Sequence, residues 1–180
     1  MKLHKFKHTE NTIKGHNGIL YEILPKQKNG FKYRLLEDYH FDTGVKIKKA
    51  VVCGFISLMT TGRMHMKAGF EWDGATCFPD IQSVMRASLE HDALYTLMIL
   101  RLIDQKYVMV PDLLFRATCI ADGMKKWLAM TAHGFLFILG WAHIKKCIDK
   151  QPKLPTTFKA EEVSKAVKVL SSAGTEINNE

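Results

Sequence analysis

The chain has 180 residues, with 26 Lys and Arg against 18 Asp and Glu, a formal net charge of +8 with histidine neutral. Hydrophobic residues make up 47% and charged residues 24%, which excludes a disordered or fibrous chain and is enough to bury a core without staples. The positive balance favours an anionic partner such as nucleic acid, acidic lipid or acidic protein, although the lysines come in ones and twos and form no basic arm.

Residues 1–20 are polar and offer little pattern. The N-terminal MKLHKFKHTENTIKG has charge but no apolar stretch, unlike a secretory signal. From Leu20 the runs GILYEILP, FKYRLLEDYHF, VKIKKAVVCGFISLMT and RMHMKAGFEW are short, rich in β-branched and aromatic residues, and separated at Lys28-Asn29-Gly30, Asp42-Thr43-Gly44 and Thr61-Gly62. Val45 and Ile47 alternate with Lys46 and Lys48, as in a half-buried strand. After Pro79 the character changes. SVMRASLEHDALYTLMILRLI, residues 83–103, has no Gly or Pro and predicts a buried helix with Ser83 as N-cap. A second helix is expected from Val110-Pro111-Asp112 to about Ala121, with Pro111 in the first helical position. A third is expected over about 124–148. Strands first and helices after give an α+β domain over 1–150, a small N-terminal antiparallel sheet packed on a C-terminal cluster of three or four helices. Residues 151–180 form an extension with one short amphipathic helix, its apolar face Val163, Ala166, Val167 and Leu170.

Two features bear on compartment. Cys53, Cys77, Cys119 and Cys147 include no C-x-x-C pair, so zinc-finger spacing is absent and the thiols are expected to be reduced, in a cytoplasmic protein. Residues 127–144, WLAMTAHGFLFILGWAHI, lie between lysine pairs at the lower edge of membrane-spanning length. With His133, His143, Thr131 and two glycines inside, they are expected to form a helix of the soluble core and not a span.

The polar positions with chemical potential concentrate on the first helix. Ser88, His91, Asp92 and Tyr95 follow i, i+3, i+4, i+7 and share one face. Upstream, GFEWDGAT sets Trp72, Asp73 and Thr76 on a glycine-hinged loop. If that loop lies over the helix, Asp73 faces His91, and a carboxylate orienting an imidazole suits a general base or a metal ligand. His91, Asp92 and Asp73 are therefore the candidate catalytic residues. Trp72, Thr76, Arg86, Ser88, Tyr95 and Asp112 are candidate binding residues, with Arg86 an anion contact. His91, Asp73 and Asp112 could hold a hard divalent metal ion. The opposite expectation is that these side chains bond loop backbone and one another, as enclosed polar groups usually do. The His91-Asp92 neighbours are also found in HD phosphohydrolases, but the nearest upstream histidine, His65, falls on a probable strand. A Thr76–His91–Asp triad lacks the G-x-S-x-G elbow.

The stretch AGFEWDGATCFPDIQSVMRASLEHDALYTLM, followed by VPDLLFRATCIADGM, resembles a family found mainly in phages and prophages, the domain-of-unknown-function family 1353. The matching residues are Gly69, Trp72, Asp73, Gly74, Ala75 and Thr76, then Met85, Arg86, Ser88, Leu89, His91, Asp92, Ala93, Leu94 and Tyr95, then Asp112, Phe115, Asp122, Gly123 and Met124, within residues 33–144. Pro111 and the FILGWAHIK run depart from the family pattern. The resemblance implies a phage-linked origin, a shared loop-on-helix arrangement and a core position for residues 127–144, and brings no activity with it. Three functions follow as expectations. The first is a phage accessory or virion-associated protein in the host cytoplasm, its WDGAT loop and HDALY helix forming a polar latch or pocket and its basic surface meeting a host protein, nucleic acid or phage component. The second is a small hydrolase-like enzyme, metal-dependent or not, using His91 with Asp73, Asp92 and Asp112. The third is a membrane-associated lysis-type protein.

Overall fold

The computed structural model describes residues 12–15, 18–26, 30–75 and 78–150, with side chains described as far as Ile138. The extension over 151–180 and Thr76 lie outside the described residues.

Among the described residues eight short strands precede three helices, an α+β order. The strands make two antiparallel sheets of four, where one small sheet was expected. In the first, β1 (Thr12–Lys14), β2 (Leu20–Ile23) and β3 (Tyr33–Leu35) form a meander, and β8 (Glu71–Trp72) adds to β3 with Tyr33 opposite Trp72. The second consists of β4 (Tyr39–Asp42), β5 (Val51–Cys53), β6 (Ile56–Leu58) and β7 (Arg63–Met66), in the order β4-β7-β6-β5. The break between sheets falls at Glu37 and Asp38 in the middle of the FKYRLLEDYHF run, where the Asp38 carboxylate accepts from the Ala68 amide instead of continuing a ladder. Val45 and Ile47 belong to no strand. Their alternation survives as burial, because Thr43 turns the chain there: its hydroxyl donates to the Gly62 carbonyl and accepts from the Val45 amide.

The helix α1 (Gln82–Ile99) starts one residue before Ser83, behind an extended Ile81 and without a side-chain cap. It stops at Ile99 rather than 103. Arg101 takes a left-handed φ of 56°, and the Leu102 and Ile103 amides fold back onto the Leu97 carbonyl. A 3₁₀ turn, Gln105–Tyr107, leads into α2 (Met109–Ala121), which puts Pro111 inside the first turn. Among the described residues the last helix is α3 (Lys126–Lys150). Twelve of the eighteen α1 residues are buried. One apolar cluster joins Tyr21, Leu35 and Trp72 of the first sheet, Ile56, Leu58, Met64 and Met66 of the second, and Met85, Leu89, Ala93 and Leu97 of α1. A second gathers Val84, Ala87, Phe115, Cys119, Met124, Ala129 and Ala132 from the helices.

The expectation of a core helix over residues 127–144 needs correction over 127–138, where the side chains are described. Ala129 and Ala132 are buried, but Trp127, Met130, Phe135, Phe137 and Ile138 are exposed. Such a helix is apolar around most of its girth, yet it packs mainly on α2, with a lesser contact to α1, and among its described side chains only one edge is covered. No helix among the described residues is long and apolar enough to cross a membrane.

Candidate functional site

The α1 stripe meets its partners from two directions. From α2, in the first helical turn, Asp112 accepts two hydrogen bonds on the same oxygen: from His91 Nε2 at 3.0 Å and from the Tyr95 hydroxyl at 3.0 Å. On the other side of the imidazole, Nδ1 lies 3.4 Å from Asp92 Oδ1. Asp92 in turn hydrogen-bonds Asp73 of the WDGAT loop. The result is a continuous line, Asp73–Asp92–His91–Asp112–Tyr95, running from the loop across α1 to α2. The His91 ring is enclosed as well as bonded. It stacks on Tyr95 at 4.1 Å, meets Phe115 edge-on at 5.9 Å and is only 7% exposed.

Electrostatics follow from this enclosure. Burial by itself depresses the imidazole, but the bonds to Asp112 and Asp92 outweigh it and leave His91 raised above its ordinary value. Burial pushes the Asp92 carboxyl up, the His91 contact pulls it back, and Asp73 adds to the rise, for a value of about 7. Tyr95 is raised by burial and then by Asp112.

The loop is pinned by its own device. Gly74 has φ +84°, and a Cβ there would sit 2.5 Å from Asp80 Oδ1. That oxygen accepts from the Ala75 amide at 2.8 Å, while Oδ2 takes the Tyr33 hydroxyl at 3.0 Å and Lys32 Nζ at 3.2 Å. Asp80 thus ties the loop to the first sheet. The glycine admits it.

Trp72 and Ser88, expected as binding residues, hold each other: the buried indole N–H donates to Ser88 Oγ at 3.1 Å, and Ser88 donates on to the Met85 carbonyl. Arg86, expected as an anion contact, is already paired with anions of the protein. It grips Asp122 through Nε and Nη2, both at 2.9 Å, with Tyr39 Oη at 3.4 Å and Glu90 at 3.5 Å. Glu90 is buried and accepts from the Tyr39 and Thr118 hydroxyls. Burial raises it, and these donors with Arg86 hold it back. This second network of Tyr39, Arg86, Glu90, Thr118 and Asp122 was not foreseen. Its available signals were the i, i+4 spacing of Arg86 and Glu90 and the acidic residue of ADGM.

The metal candidates His91, Asp73 and Asp112 are not gathered around one point. The carboxylates bonded to His91 lie at opposite ring nitrogens, and among the described residues no group of three or more His, Cys, Asp or Glu could hold an ion. His65, on β7, instead stacks on His40 across the second sheet at 5.7 Å. An open depression of about 560 Å³ is lined by Arg101, Leu102, Ile103, Asp104 and Gln105, beyond the C-terminal end of α1. No family model, no curated protein and no solved structure matches the chain.

Proposed function

We propose that the chain is a non-catalytic accessory protein of phage or prophage origin. In this reading the WDGAT loop and the HDALY helix form a polar latch that fixes the sheets on the helical cluster, and the basic surface meets an anionic partner in the host cytoplasm or the virion. The single observation that carries the latch is the state of His91: enclosed, stacked, and bonded at both ring nitrogens. A base or ligand needs a face turned to substrate, whereas a buried and fully bonded network rigidifies the elements it joins without chemistry. Arg86, bonded to Asp122, fits the same reading. The phage origin rests on the WDGAT and HDALY resemblance, and the anionic partner on the charge of +8.

One observation favours a second reading, a hydrolase-like site centred on Asp92 and Asp73. The Asp92 side chain is 26% exposed and its carboxyl is pushed up to about 7, the position of a general acid or base near neutral pH. Melting curves of His91→Ala and Asp73→Ala separate the two. A latch loses about 1–3 kcal/mol with either change, because a buried partner is stranded. An intact melting temperature in both variants would refute the latch and favour a site that trades stability for reactivity.

A further inference from the structure

We propose that the outer face of the second sheet carries a site for a transition-metal cation of the Zn²⁺, Ni²⁺ and Cu²⁺ class, held by His40 of β4 and His65 of β7. The two histidines stand directly opposite each other in the antiparallel β4–β7 pair. Alternation along the strands turns them outward, because their neighbours Phe41, Met64 and Met66 point into the core. Both histidines are exposed. Their ring centroids are 5.7 Å apart, and the ring planes are 30° from parallel.

Among the described residues neither ring has a hydrogen bond or an ion pair; each touches the other. This sets them apart from His91, whose two ring nitrogens both face carboxylates. Each neutral imidazole offers one nitrogen lone pair, the donor that metal ions take most often from proteins. The spacing suits a shared ion. Directly opposed residues of an antiparallel pair have Cβ atoms about 4.5–5.5 Å apart. With metal–nitrogen distances of about 2.0–2.1 Å and a tetrahedral angle, two bound imidazoles have centroids about 5 Å apart. The rings reach that arrangement by turning about χ1 and χ2, and χ2 of histidine is broad. The backbone stays where it is, held by the inward side chains of both strands.

The donor set selects the ion. Imidazole suits Zn²⁺, Ni²⁺ and Cu²⁺, whereas Mg²⁺ and Ca²⁺ need carboxylate and carbonyl oxygens. Asp42, the next outward residue of β4, is engaged by Arg63 at 2.9 Å. The pair therefore falls short of a group of three protein ligands, and water completes the coordination. An open site of this kind exchanges its ion with solvent, unlike a closed structural centre. A bound ion also clips β4, the strand at one edge of the sheet, to β7.

The test is calorimetric titration of the full chain, first freed of metal with a chelator, by Zn²⁺, Ni²⁺, Cu²⁺, Mg²⁺ and Ca²⁺ in turn. His40→Gln, His65→Gln and the double variant are titrated alongside, and circular dichroism should show all three folded, since both positions face solvent. The wild type should bind one equivalent of each transition-metal ion that either single variant lacks, and the double variant should lose no more than the singles, because a chelate needs both rings. Cu²⁺ should bind tightest, and Mg²⁺ and Ca²⁺ should not fill this equivalent. Zn²⁺ should raise the melting temperature of the wild type more than that of His40→Gln. Binding that is the same in the wild type and both single variants overturns the proposal, as does no binding at millimolar ion. Partial losses in the singles that add up in the double also overturn it, since they mark two separate rings acting as adventitious ligands only.

Discussion

Replacing Asp112 by alanine removes the one acceptor shared by His91 and Tyr95. Both donors lie within 3.0 Å of the same carboxylate oxygen, and all three residues are buried. Each stranded donor costs about 1–3 kcal/mol, and breaking a buried charged pair costs about 3–5 kcal/mol. The helix-dipole benefit of an acid in the first turn of α2 adds about 0.3–1 kcal/mol. We expect a loss of about 3–5 kcal/mol in urea unfolding followed by far-ultraviolet circular dichroism, and a melting temperature lower by roughly 10 °C for a chain this long. Asp42→Ala is the control. It breaks a pair with Arg63 in which Asp42 is largely exposed, and such pairs contribute about 0–1 kcal/mol. The double variant with His91→Ala should fall short of the summed single losses by about 0.5–3 kcal/mol, the signature of a shared bond. A loss below about 1 kcal/mol for Asp112→Ala would refute the network reasoning.

Stability should fall as pH rises from about 5 to 8. The folded state holds the Asp92 proton up to about 7, against an ordinary 3.8, so that contribution is complete below about 4 and lost through about 7. His91 is raised too, so its contribution is present below 6.5 and is lost as pH climbs through its folded value. The slope is at most about 1.4 kcal/mol per pH unit for each proton; urea midpoints for Asp92→Asn should give a flatter profile, and a parallel one would exclude Asp92 as the cause. Ser88→Ala leaves the buried Trp72 indole without its acceptor and should lower stability by about 1–3 kcal/mol, checked by denaturant midpoint against wild type. Gly74→Ala places a Cβ on Asp80 at a left-handed φ and should destabilise by about 1–3 kcal/mol, while Gly18→Ala, with a similar φ and open space around it, should lose less.

The order of strands before helices was legible, because the switch from short β-branched runs to a long stretch without Gly or Pro is a local property. So was the polar stripe of α1, which follows from helical spacing alone. The number of sheets was not. Strands of two to four residues carry no local mark of which neighbour they pair with, and Glu37-Asp38 looked like strand interior when it is the crossing between sheets. Thr12–Lys14 was missed because a three-residue edge strand has too little pattern to see. Asp112 stood among candidates, but only the packing of α2 on α1 makes it the direct partner of His91. Glu90 escaped because a glutamate on a helix normally faces water; its burial depends on Tyr39 and Thr118, 51 and 28 residues away. On α3, hydrophobicity was legible and burial was not, since burial needs a neighbour that the domain supplies on one edge only.

The placement of β8 beside β3 has a bearing on how the chain assembles. Everything from Tyr39 to Met66 is an excursion whose two ends meet again where the Leu35 amide bonds the Phe70 carbonyl and the Gly69 amide bonds the Leu35 carbonyl. During synthesis the first sheet therefore remains one strand short until residue 72 has emerged, and its Trp72 cannot reach Ser88 until α1 follows. The excursion can close its own ladders earlier, since β5, β6 and β7 are sequential and local. Closing the neck over more than thirty residues is the entropically harder step.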